Sequence, residues 1–142
     1  MEALIISADD NTPAVTLNAE EQIFLIEGES YPESASKFYA PVIEWLKNYE
    51  KVLQVQKKVF EKNRRMTFQF KFDYFNSSSA KYIYEIFSVL DKMAVNGLHV
   101  RVKWFYQKED TDMIESGKEL EKMVFKLPVR FVETESVIES KQ

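Results

Sequence analysis

The stretch Met66-Thr67-Phe68-Gln69-Phe70-Lys71-Phe72-Asp73-Tyr74 alternates between apolar and polar residues without a break. Successive side chains of a strand point to opposite faces. Phe68, Phe70, Phe72 and Tyr74 therefore share one face, and Thr67, Gln69, Lys71 and Asp73 share the other. A strand with one greasy and one polar face belongs to a sheet covered on one side only. An all-helical fold is excluded at once.

The rest of the chain supplies the cover. Val15 to Asn18 and Gln22 to Ile26 read as short strands around Ala19-Glu20-Glu21. Gly28 closes the second run, and Glu29 to Ser34 form a turn, because Tyr31 precedes Pro32. From about Ser36 the period becomes helical. Phe38, Val42, Trp45, Leu46, Tyr49 and Leu53 make one apolar face, with Pro41 either opening the helix proper or distorting the turn before it. The basic tail from Lys57-Lys58 to Arg64-Arg65 reads as a solvated helix end.

After Phe75-Asn76-Ser77-Ser78-Ser79 a second apolar helical stripe appears. It comprises Ile83, Ile86, Phe87, Leu90 and Ala94, and it stops at Asn96-Gly97. Leu98 to Tyr106 is a further strand. Asp110 or Asp112 caps a third helix with Met113, Leu120 and Met123 or Val124 inward, and Val129 to Val132 is the last strand. A polar tail begins at about residue 134. The expected fold is α/β: a single sheet with helices packed mainly on one face, in the order β-β-α-β-α-β-α-β. At 142 residues the chain is expected to form one domain, 1–142.

Composition narrows the chemistry. There is no cysteine and one histidine, His99, which leaves no thiolate metal site, no cysteine nucleophile and no histidine-based triad. Three glycines, at 28, 97 and 117, cannot build a phosphate-cradling loop or a dinucleotide fingerprint. The net charge of −4 offers no basic field for nucleic acid or an anionic membrane surface. No signal peptide or membrane span is visible, so the expected location is cytoplasmic. The expectation is a non-enzyme with no catalytic residue, no metal and no cofactor.

Asn76-Ser77-Ser78-Ser79 stands between a strand and an amphipathic helix. Asn and Ser are favoured N-caps because their side-chain oxygens accept from the unpaired amides of a first turn. Three successive hydroxyls exceed what a cap requires. A phosphate on such a hydroxyl would be stabilised by the same amides and by the helix dipole, and its added charge would switch any partner surface docking there. The competing reading keeps the serines as a cap only. The chain is then a constitutive protein-interaction scaffold or a small-ligand-binding module.

This order of elements, with a serine cluster opening the helix after the third strand, looks like the STAS fold of anti-anti-sigma factors, which a partner kinase phosphorylates at this place. The usual Asp-Ser-Ser-Gly run is replaced here by Asn76-Ser77-Ser78-Ser79-Ala80. The sequence more closely resembles the SiaC family of bacterial regulatory phosphoproteins. The resemblance lies in Thr12-Pro13, in Gly28-Glu29-Ser30-Tyr31-Pro32-Glu33 and in Val42-Ile43-Glu44-Trp45. It continues through Tyr74-Phe75-Asn76-Ser77-Ser78-Ser79-Ala80-Lys81 to Val102-Lys103-Trp104-Phe105-Tyr106.

The resemblance implies a STAS-like, non-catalytic switch over residues 1–142. A dedicated protein kinase phosphorylates it and a PP2C-type phosphatase reverses the step. The unphosphorylated form binds and activates a diguanylate cyclase, which places the chain in c-di-GMP signalling and biofilm regulation. The family's phosphoacceptor directly follows the Asn and so maps to Ser77, with Ser78 the next candidate. Tyr31, Pro32, Glu33, Asn76, Ser78, Ser79 and Lys81 are the expected partner-binding residues.

Overall fold

A computed structural model describes residues 1–56 and 65–135. The strands are β1 (Leu4–Ile6), β2 (Ala14–Asn18), β3 (Ile23–Ser30), β4 (Met66–Phe75), β5 (Val100–Gln107) and β6 (Val129–Thr134). The helices are α1 (Ala35–Gln56), α2 (Ser77–Val95) and α3 (Thr111–Met123). All six strands form one sheet in chain order. β1, β2 and β3 pair antiparallel, and β3 to β6 pair parallel.

Because the parallel strands advance in one direction, crossovers of one hand place every helix on the same face. That is the observed arrangement. Phe24 of β3 packs on Trp45 and Tyr49 of α1, Phe70 of β4 packs on Phe87 of α2, and the Trp104 indole of β5 donates to the Met113 carbonyl of α3 at 2.9 Å. Phe68, Phe70, Phe72, Val102 and Trp104 are buried beneath the helices. Thr67, Gln69 and Lys71 on the other face are only partly covered.

Three expectations need correction. First, the chain begins with an extra strand: β1 pairs with β2 through Leu4↔Leu17 and Ile6↔Val15. Three residues are too few to show a period, so only pairing reveals it. Second, β3 does not end at Gly28. Gly28 adopts φ +113 at a register shift and the strand continues to Ser30, so the glycine marks a bulge within the strand.

Third, Tyr74 leaves the face of the three phenylalanines. Gly28 lies opposite Phe72 and Glu29 opposite Tyr74, so Asp73 is an extra residue on β4. The extra residue resets the alternation. Tyr74 turns out to 51% exposure, and Phe75 takes the inward place, 5.3 Å from Phe72 and 6.0 Å from Trp104 between ring centroids. At the end of α3 the inward alternative is Val124, which packs against the core while Met123 is exposed, and α3 itself buries Met113, Gly117 and Leu120.

Pro41 lies inside α1, on its exposed side, where solvent can take the carbonyl whose usual donor the proline lacks. The expected basic tail falls mainly on residues 57–64, outside the described residues.

Gly117 is where α3 meets the sheet. A Cβ there would stand 2.5 Å from Cδ1 of Trp104, 2.6 Å from its Nε1 and 2.7 Å from Cε1 of Phe131. Neither ring is a flexible tail that can swing aside, so α3 would have to lift. Gly117→Ala is therefore expected to destabilise the chain by about 1–3 kcal/mol, although alanine is the better helix former. Chemical denaturation of the purified variant checks this, and a stability equal to wild type would refute the close approach.

Candidate functional site

The carboxyl ends of β3 and β4 and the amino end of α2 converge at one place. Asn76 is extended at φ −85, ψ 173, and its side-chain oxygen accepts from the Ser79 amide at 2.9 Å. The cap is thus Asn76, and the three serines are the first three residues of α2. The Asn76 amide donates to the Ser30 carbonyl at 3.0 Å, which ties the start of α2 to the end of β3.

The structure separates the serines. Ser77 and Ser78 are exposed, whereas Ser79 is fully buried. The Ser79 hydroxyl donates to the Ser30 carbonyl at 3.0 Å and lies 2.9 Å from Ser30 Oγ, which in turn lies 2.6 Å from the Tyr39 hydroxyl of α1. A head-to-tail assignment satisfies all three buried hydroxyls: Tyr39 donates to Ser30, Ser30 to Ser79, and Ser79 to the Ser30 carbonyl. Burial pushes the Tyr39 hydroxyl up to about 12, against the opposing pull of its serine hydrogen bonds. The trio holds a neutral, dry joint between β3, α1 and α2.

Asn76→Ala removes the acceptor for the Ser79 amide. It is expected to cost about 1 kcal/mol, read as a lower denaturation midpoint with an unchanged slope. An unaffected midpoint would mean that the cap carries no stability.

Outside this joint, Ser77 opens onto a groove of about 400 Å³ between α2 and α3. Phe75, Lys81 and Tyr84 form one wall with Ser77, and Glu119, Leu120 and Met123 form the other. Lys81 is one helical turn beyond Ser77 and rests its ammonium 5.7 Å from the Tyr82 ring centroid. Ser77 thus sits beside one cation, one anion and an apolar floor.

Of the other expected contact residues, Tyr31 lies next to this end of the sheet. Its ring meets that of Tyr74 edge-on at 6.0 Å, and its amide donates to the Asn11 carbonyl at 2.8 Å. Pro32 is half-buried and Glu33 is exposed, in the loop leading to α1. The sequence reading overlooked Ser30, Tyr39, Tyr74, Tyr84 and Glu119. One signal for Ser79 was available. It precedes Ile83 by four residues, which puts it on the buried stripe, whereas Ser77 aligns with Lys81 and Tyr84 on the open side.

His99 is exposed. Among the described residues no group of three His, Cys, Asp or Glu side chains is placed to hold a metal ion, and no helix is long and apolar enough to cross a membrane.

A family model described as "SiaC family regulatory phosphoprotein" matches residues 6–134. An uncharacterized protein of Pseudomonas aeruginosa strain UCBPP-PA14 is 24% identical over 119 residues, which cover 84% of this chain and 87% of that protein. The structure of SiaC of Pseudomonas aeruginosa superposes with a TM-score of 0.77 at 21% identity, over 94% of this chain and 100% of that one. A chain in the crystal structure of the diguanylate cyclase SiaD in complex with its activator SiaC, from the same species, gives a TM-score of 0.78 at 21% identity, over 92% of this chain and 99% of that one. At such identities the superpositions speak for the fold.

Proposed function

From a chain that belongs to the SiaC family of regulatory phosphoproteins, we propose a non-catalytic switch in which the phosphorylation state of Ser77 controls binding to a diguanylate cyclase. The observation that carries this reading is the sorting of the serine run. Ser77 is an exposed first residue of α2 directly after its asparagine cap, while Ser79 is sealed in the buried hydroxyl joint.

In the forward step a protein kinase transfers the γ-phosphoryl group of ATP to Ser77 Oγ. The new O–P bond replaces the bond to ADP, and the hydroxyl proton leaves to the kinase base. A PP2C-type phosphatase returns the serine by hydrolysis. The phosphate adds about −1.5 to −2 charges at pH 7. Helix geometry leaves the first-turn amides without carbonyl partners of their own, and Lys81 sits on the same face one turn on. Both favour the anion within the chain.

For a partner seated in the groove the balance is opposite. Glu119 already stands on the far wall, and a surface that accepted a neutral hydroxyl would have to desolvate a dianion. The unphosphorylated form is therefore the binding form. The complex of the cyclase SiaD with its activator SiaC supports a diguanylate cyclase as the partner and activation as the outcome. In this reading the whole chain works as one cytoplasmic unit of c-di-GMP signalling.

The test is intact mass of the protein purified from its native host, with and without phosphatase treatment, followed by fragmentation. One phosphoryl group that fragmentation places on Ser77, and that phosphatase removes, is the expected result. An unmodified protein under all growth conditions would leave the serines as a cap and favour a constitutive scaffold.

A further inference from the structure

The sheet face opposite the helices carries a charge pattern that the switch does not use. Register places Arg101, Lys103 and Arg130 together on β5 and β6, with Lys103 opposite Arg130. Glu27, Glu29 and Asp73 stand together toward the carboxyl ends of β3 and β4. Lys71 lies between the corners and leans its ammonium to 4.6 Å from the Phe105 ring centroid. Among the described residues the sole ion pair is Lys92 with Glu50, so none of these seven charges is ion-paired there, and Arg101 donates from Nε to the Thr67 hydroxyl at 2.9 Å.

From this pattern we infer that the open face is self-complementary and docks a second copy of the chain. Strands are spaced by about 4.8 Å and residues rise by about 3.3 Å along them. On that lattice, a two-fold axis running parallel to the sheet, midway between the two facing copies and beside Lys71, folds the acidic corner onto the basic one. Asp73 then meets Arg130 of the second copy, Glu27 meets its Lys103, and Glu29 meets its Arg101. Symmetry doubles each pair, as an isologous interface requires. The strands of the two copies cross at roughly 70°, near the orthogonal class of sheet packing.

Six strands at that spacing give a face of about 600 Å² per copy, at the lower end of what a specific interface needs. The dimer is accordingly weak, concentration-dependent and sensitive to salt. Lys71 lies beside the axis and so faces its own copy, the one like-charge contact. Its removal strengthens the dimer, whereas removal of any other cation on this face weakens it.

The experiment is sedimentation velocity of the full chain from micromolar to several hundred micromolar, at low and high salt. The expected result is a monomer–dimer equilibrium that weakens as salt rises. The double variant Lys103→Glu, Arg130→Glu and the double variant Glu27→Lys, Asp73→Lys should each lose at least tenfold in self-affinity. An equimolar mixture of the two should regain a dimer, because every reversed charge then faces its opposite. Lys71→Met should tighten the dimer several-fold.

Circular dichroism confirms that the variants fold. A wild type that stays monomeric throughout, or a dimer indifferent to all these reversals, overturns the inference. A monomer that instead binds a labelled deca-glutamate peptide in an Arg130-dependent way also overturns it, and assigns the basic corner to an acidic protein partner.

Discussion

Phe70→Ala is expected to destabilise the chain by about 3–5 kcal/mol. Phe70 is 1% exposed at the centre of the sheet, with ring centroids 5.0 Å from Phe87, 5.8 Å from Trp104 and 6.3 Å from Phe72. Those neighbours are themselves pinned: Trp104 holds the Met113 carbonyl, and Phe87 is locked between α2 and the sheet. The site cannot collapse, so the loss includes the cavity as well as the transfer energy of the ring. Gln69→Ala, one residue away on the open face, should stay within about 0.5 kcal/mol of wild type. Urea denaturation of both variants decides the matter. Equal small losses would mean that the two faces of β4 carry equal weight, which their burial forbids.

The second large effect concerns Ser77. Ser77→Asp puts a negative charge in the first turn of α2, where amides and dipole favour anions by about 0.3–1 kcal/mol. Stability should hold or rise slightly. Affinity for the diguanylate cyclase should fall, because a charge at the mouth of the groove must be desolvated or repelled by the docked surface. Disrupting one contact of that kind typically costs 2 kcal/mol or more, about a thirtyfold loss.

Ser77→Ala keeps the neutral surface, so it should bind like the unphosphorylated chain and resist the kinase. Its stability should be close to wild type, since the cap is supplied by Asn76. Calorimetric titration of both variants against the cyclase separates the two outcomes. If alanine and aspartate bind equally well and the phosphate is found elsewhere, Ser77 is not the switch and Ser78 is the next residue to test.

Much of this architecture was legible in the residue pattern, for identifiable reasons. Phe68, Phe70 and Phe72 alternate over a run long enough to declare a strand and its inner face. The stripe Ile83, Ile86, Phe87 and Leu90 declares α2, and Asn96-Gly97 its end, where Gly97 indeed adopts φ +90. Asp110 caps α3 by accepting from the Met113 amide at 3.0 Å, one of the two caps its position allowed. Local rules were enough because each of these features is decided within a few residues.

The remainder depended on partners distant in sequence. β1 exists because Leu17 and Val15 offer it a ladder, and Tyr74 is outside because Asp73 has no partner residue on β3. Gly117 is required because Trp104 and Phe131 arrive at its Cα. The serine run illustrates the division within a single motif. The amino-acid sequence by itself determined that an asparagine and three hydroxyls would open an amphipathic helix after a strand. Only the tertiary structure decided that the third hydroxyl closes a buried chain with Ser30 and Tyr39 while the first faces a groove, because hydroxyls of equal local propensity are told apart by what packs against them.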